Sequence, residues 1–145
     1  MKIRNEMKLE FTALSENVGI ARIVAATFAA QLDFTLNTLE EIKVAISEAV
    51  SNAVIHGYKN AGEGTVYMTL RLREAAVEIV IADEGCGIAD VEEARQPAFS
   101  SDPERMGLGF VFMESFMDEL EVNSELNRGT TVRMIKSLGS AQKAQ

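Results

Sequence analysis

The order of hydrophobic periodicities along the chain narrows the fold more than any other feature. Residues 7–13 alternate apolar and polar, the two-residue period of a half-buried strand. Two stretches with a helical period follow. Residues 65–73 and 76–82 return to the strand period around a short turn at Glu74, which predicts a hairpin. After an irregular stretch come one more helix, over about 108–117, and two more strands, 119–123 and 130–136, joined by the turn Leu126-Asn127-Arg128-Gly129. This is not the strict strand–helix alternation of a doubly wound parallel sheet. It suits the α+β class: a two-layer α/β sandwich with a mostly antiparallel, mixed sheet and helices on one face.

The helices can be sketched further. Ser15 is placed to cap a helix over about 16–31, with Ile20, Ile23, Val24 and Phe28 on its buried stripe. Thr38, with Glu41 three residues on, reads as a capping box opening a second helix that runs to about Tyr58. Its apolar stripe is Leu39, Ile42, Ala45, Ile46, Ala49, Val50 and Ala53. A short helical turn is expected around 91–94. Both prolines, Pro97 and Pro103, fall in the irregular stretch 96–109, which reads as an ordered loop or lid. Residues 1–138 form one domain in this reading, and 139–145 a mobile tail with little to pack.

Composition excludes several functions. The chain has 145 residues, and Lys+Arg minus Asp+Glu is 14 − 22 = −8. No basic stripe offsets that charge, so direct binding to nucleic acid is not expected. One cysteine, Cys86, excludes a disulfide framework and a cysteine-based zinc site; it reads as a small buried filler. One histidine, His56, leaves no His-rich metal centre. No apolar run approaches the ~20 residues of a membrane span, and the first residues lack a signal-type apolar core. A cytoplasmic location without membrane partners is expected.

Three polar constellations remain. Glu48, Asn52 and His56 recur every four residues, so they stack about 6 Å apart on the flank of the second helix's apolar stripe. Taken alone, Glu48 reads as ordinary surface polarity, but the small residues around the three leave space for a ligand. Asp83-Glu84-Gly85-Cys86-Gly87 places an acid at the end of a buried strand, followed by glycines that let backbone approach a flat or charged group. Asp83 can accept a hydrogen bond from a base's amino group. Gly107-Leu108-Gly109 lies just before a helix, whose free N–H groups favour anions, with Arg105 beside it for a charge-assisted phosphate contact. Neither glycine pair fits a Walker A loop or a Rossmann fingerprint.

Together, the asparagine-bearing helix, D-x-G-x-G after a strand, G-x-G opening a helix, and Gly129-Thr130 before the last strand closely resemble the N, G1 and G2 boxes of the GHKL (Bergerat-type) ATPase/kinase superfamily. Within it, residues 48–58, 92–97 and 110–118 resemble the anti-sigma-F factors of endospore-forming bacteria, which are also serine kinases. The resemblance implies ATP or ADP and Mg²⁺ as cofactors. On these positions, Asp83 would bind the adenine amino group, with Thr130 supporting it and Gly85 and Gly87 shaping the turn. Asn52 would coordinate Mg²⁺, Glu48 would act as general base, and Gly107 and Gly109 would let a lid's backbone cradle the phosphates. The implied partners are sigma factor F, an anti-anti-sigma factor phosphorylated on serine, and a second copy in a homodimer. The loop 99–106 is slightly shorter than this subfamily's pattern, with Asp102 where a lysine is usual.

Other readings stay open. A general-stress anti-sigma kinase would share these boxes. A sensor histidine-kinase catalytic domain would need a phosphoacceptor histidine on a separate helical domain, whereas His56 lies inside the N box. A non-catalytic GHKL module would have no use for a base at Glu48. For a sigma-binding surface, Glu16 and Arg22 on the first helix are the candidates, against the blander reading of a solvated helix face.

Overall fold

Alternation in the strands decides which side chains share a face, and here it produces one apolar and one charged face. The computed structural model describes residues 2–96 and 106–139. Its strands are β1 (Asn5–Thr12), β2 (Thr65–Leu72), β3 (Ala76–Asp83), β4 (Glu119–Glu125) and β5 (Gly129–Ser137). They form one sheet in the order β1-β2-β3-β5-β4. Every pairing is antiparallel, so the expected parallel component is absent among the described residues.

The register lines up the inward residues in rungs. Met7, Leu70, Ile79, Met134 and Leu120 form one; Leu9, Met68, Ile81, Val132 and Val122 form the next. The helices α1 (Val18–Ala29), α2 (Leu36–Asn52) and α4 (Met106–Phe116) provide the second layer, with α2 packed between the other two; α3 (Val91–Ala94) is a single turn. Ile42, Ile46 and Val50 of α2 and Phe110 and Met113 of α4 are buried in the same cluster as the sheet's apolar rungs. Each such side chain contributes roughly 1.5–3 kcal/mol on burial.

The opposite face is held by charge. Glu78 of β3 is almost wholly buried there; it accepts from Arg73 at 2.7 Å and Arg133 at 2.5 Å, with Arg71 at 3.6 Å. Arg71 also reaches Glu6 across β1–β2 at 2.7 Å. Burial alone would raise the Glu78 pKa, but the Arg73 and Arg133 hydrogen bonds outweigh it and hold the carboxyl below the ordinary value.

Several helix details differ from the sequence reading. Ser15 caps nothing: Ser15–Asn17 is a 3₁₀ turn, and α1 starts at Val18. Ile20 and Ile23 are 60% and 54% exposed, while Ala21, Ala25, Phe28 and Ala29 face inward. The α1–α2 contact is built from alanines, which let the helices approach closely, and apolar period alone does not tell that face from the isoleucine face. Thr35, not Thr38, caps α2, accepting from the Thr38 amide at 3.1 Å. Beyond Asn52 the helix widens into a π turn, Ala53–Gly57, before ending near the expected Tyr58. Finally, α4 begins at Met106, so Gly107 and Gly109 sit inside its first turn and not in a loop before it. Among the described residues no helix is long and apolar enough to cross a membrane. The expected tail, apart from Gly139, and most of the expected lid lie outside the described residues.

Candidate functional site

The inward rung at one end of the sheet is polar where the two central rungs are apolar. It consists of Asp83 on β3, Thr130 on β5 and Ser124 on β4, with Val66 and Phe11 on the far side. Asp83 is only 9% exposed. Its Oδ1 accepts from the Gly85 amide at 2.9 Å, and the Thr130 backbone N–H donates to the same carboxylate. Burial nevertheless dominates and pushes the Asp83 carboxyl above its ordinary value. A desolvated carboxylate with spare lone pairs suits a neutral amino donor, as on a nucleobase. Ser124 was not singled out by motif. Its Oγ lies 2.8 Å from the Thr130 hydroxyl and accepts from the Ile88 amide at 2.7 Å. Continuing the Leu120–Val122 alternation by two residues identifies it as an inward polar position.

Helix α2 and the turn after β3 interlock beside this rung. A Cβ on Gly57 would stand 2.9 Å from Asp83 Oδ1, and one on Gly85 would collide with the Gly57 carbonyl. That carbonyl accepts the Cys86 amide at 2.9 Å. The Gly85 glycine therefore permits contact between two protein segments, not only approach to a ligand. Gly87, at φ 73°, passes equally close to the Glu125 carbonyl. The half-buried Cys86 donates its S–H to the His56 carbonyl at 3.1 Å, so it joins the two segments instead of acting as apolar filler. The π turn brings His56 and Gly57 to the pocket, a recurrent use of such widened turns.

The expected helix constellation is present one turn further back. A Cβ on Gly109 would lie 2.9 Å from Glu48 Oε1 and 3.5 Å from Asn52 Nδ2. The glycine thus lets α4 close onto both side chains. The Asn52 Nδ2 is buried and finds no hydrogen-bond partner among the described residues. A half-turn of the carboxamide exchanges its oxygen into that position, so the amide can present either a donor or an acceptor there. No cluster of three or more His, Cys, Asp or Glu that could hold a metal occurs among the described residues. An asparagine oxygen alone still fits Mg²⁺ carried on phosphates, because Mg²⁺ keeps most of its ligands from phosphate and water.

Asn52, Asp83, Gly87 and Thr130 line one pocket, with Ile81, Ile88, Phe110 and Val132 as its apolar wall. The structure therefore gathers Glu48, Asn52, Asp83, Gly85, Gly87, Gly109 and Thr130 in one region. Gly107 is turned away: its Cβ position abuts the Gln96 carbonyl. Arg105 lies outside the described residues. Glu16 and Arg22 are on the α1 side, where Arg22 donates to Ser47 Oγ at 3.3 Å, one residue before Glu48.

The sequence pattern of the histidine kinase-like ATPase domain matches residues 11–136. The chain is 54% identical over 136 residues to the anti-sigma F factor of Geobacillus sp. (strain WCH70), covering 92% of this chain and 93% of that one. It is 49% identical over 142 residues to the anti-sigma F factor of Bacillus licheniformis, covering 97% of each. Among solved structures, the RsbU and RsbW domains of Rv1364c from Mycobacterium tuberculosis share the fold at TM-score 0.65 and 20% identity, over 92% of this chain and 32% of that one. The domain match spans the pocket just described, and the curated relatives span nearly the whole sequence: the chain belongs to the anti-sigma F factor family, built on the histidine kinase-like ATPase domain.

Proposed function

We propose that the chain is an ATP-dependent protein serine kinase that also binds and inhibits sigma factor F, and that its phosphorylated substrate is the anti-anti-sigma factor. The observation that carries this reading is the arrangement of one pocket: Asp83 lies on its sheet side, and Asn52, with Glu48 one helical turn away, lies where α4 closes at Gly109. Asp83 orients an adenine through its amino group. Asn52 offers the carboxamide oxygen that would hold Mg²⁺, which when bound neutralises phosphate charge. Glu48 accepts the proton of the attacking serine hydroxyl as the phosphoryl group transfers. Positioning and charge neutralisation carry most of such a reaction, and a carboxylate one turn from the phosphate site suits a late proton transfer.

The same reading includes a homodimer and a cytoplasmic location. Ile20 and Ile23 of α1 and Met7 of β1 are exposed, and β1 pairs only with β2 among the described strands. The exposed Glu16 and the neighbouring Arg22 are the candidates for contact with the sigma factor.

The test is labelling with γ-labelled ATP and Mg²⁺ in the presence of the anti-anti-sigma factor. Label on a serine of that partner, absent with Glu48→Gln, is the expected result. Label on a histidine, or none on the partner with intact nucleotide binding, would overturn the kinase assignment.

A further inference from the structure

Tyr58, just past the π turn, occupies a position that the nucleotide chemistry above does not use. Its hydroxyl donates to the Thr65 carbonyl at 2.7 Å and accepts the Glu84 amide at 2.7 Å. The Glu84 N–H shares a peptide plane with the carbonyl of Asp83. On its other side, that carbonyl fills the space a Gly129 side chain would need. Fixing this plane fixes the direction of the chain after Asp83, and with it the Gly85 amide that donates to Asp83 Oδ1 at 2.9 Å and orients the carboxylate. One residue earlier, Gly57 leaves the space in which the carboxylate sits, since a Cβ there would stand 2.9 Å from Asp83 Oδ1, and its carbonyl takes the Cys86 amide. The chain 57–58 therefore holds the segment 83–86 at the Glu84 amide and at the Cys86 amide, and lies close beside the carboxylate. Tyr67 adds a third hold, donating to Glu84 Oε1 at 2.9 Å.

We infer that Tyr58 is a positioning residue for adenine selection, a hydrogen-bonded strut from the start of β2 to the peptide after Asp83 that aims the Asp83 carboxylate at the base. The inference rests on the adenine role proposed for Asp83. Its physical ground is that the phenol replaces a strand partner. The Glu84 N–H lies beyond the end of the β2–β3 ladder, whose last pair is Val66 with Asp83. Without an acceptor this amide turns to water, and the Asp83–Glu84 peptide loses one of the contacts that hold it. Burial holds the phenol's pKa above its usual value; the Glu84 amide hydrogen bond opposes this, and the charges of Asp83 and Glu84 add to it. The hydroxyl is therefore protonated and able to donate at neutral pH. The ring also packs on Gly64, at φ 101°, where a Cβ would meet it at 2.6 Å. Packing and hydrogen bonding can thus be separated: Tyr58→Phe keeps the ring and removes only the hydroxyl.

The experiment compares ATP with inosine triphosphate, which carries a carbonyl where adenine has the amino group, by calorimetric affinity for wild type, Tyr58→Phe and Asp83→Asn. The ATP-over-ITP preference should fall about 3–10-fold in Tyr58→Phe, the cost of one hydrogen bond's worth of alignment. A purely structural tyrosine would lower the unfolding midpoint and leave this ratio alone. If Asp83→Asn collapses the ratio and Tyr58→Phe keeps it, the strut is overturned while the adenine reading stands. If Asp83→Asn leaves the ratio unchanged, the adenine reading fails and the strut falls with it. Hydrogen exchange in the wild-type protein needs no variant: the Glu84 amide should be protected like a strand amide, and exchange at a free-loop rate would overturn the inference.

Discussion

At the residue scale, the pocket places a carboxylate where it costs stability. Asp83 is buried and its pKa is raised, chiefly by desolvation. The folded state therefore holds the Asp83 proton more tightly than the unfolded state. As pH rises from the ordinary aspartate value through the raised folded value, stability is lost, and the deficit persists above it. Asp83→Asn keeps an oxygen for the Gly85 and Thr130 amides but carries no charge. The ligand-free variant should match or exceed wild type in urea at neutral pH, and the difference should close in acid. Adenine nucleotides should bind about 10–150-fold more weakly, the loss of one charged hydrogen bond. Equal ADP affinity in calorimetry would remove Asp83 from the base contact. Glu48 answers to a different measurement. Glu48→Gln should lower serine phosphorylation by roughly 10²–10⁴-fold, the range for a general base, and leave ADP binding intact. A rate within a few-fold of wild type would assign proton transfer elsewhere.

At the element scale, what was legible in the sequence is what period alone decides. The β2–β3 hairpin and α2's buried stripe follow from alternation and from the 3.6-residue repeat, and both are present with small shifts at their ends. The α1 face is not legible from period, because isoleucines and alanines lie on different sides of one apolar helix and only tertiary contact chooses between them. The site was legible as separate boxes. Its closure was not, since Gly57 against Asp83 and Gly109 against Glu48 are contacts across 26 and 61 positions of chain. The open sheet face gives an element-scale test. Glu78 ties β3 to β5 through Arg133 and to Arg73 at the end of β2, and its lowered pKa means it stabilises above the ordinary glutamate value. That contribution is lost as pH falls through the folded value. Glu78→Gln should cost about 1–3 kcal/mol in urea unfolding near neutral pH, with the gap from wild type closing in acid. A gap independent of pH would mean that packing, and not the ion pairs, supplies it.

At the scale of the whole molecule, the α1–β1 side of the sandwich leaves an apolar region uncovered by the described residues. Ile20 and Ile23 on α1 are 60% and 54% exposed and Met7 on the neighbouring edge strand is 46% exposed, in a chain of net charge −8. Like-charged copies repel at long range, though salt screens this within about 8 Å at physiological strength. Association must then come from contact burial, and stable interfaces bury about 800 Å² on each partner. The α1–β1 side offers both the exposed apolar residues and, along β1, one edge with no strand partner among the described residues. For the homodimer proposed above, we therefore expect Ile20→Asp combined with Ile23→Asp to leave a monomer. The substitutions fall on exposed positions away from the pocket, so the unfolding midpoint and ADP affinity should stay near wild type. The added carboxylates would face their own copies across a symmetric contact, since an isologous interface repeats each residue on both sides. Light scattering at several concentrations reads the outcome directly. A dimer that survives both substitutions at wild-type strength would mean that another surface joins the copies.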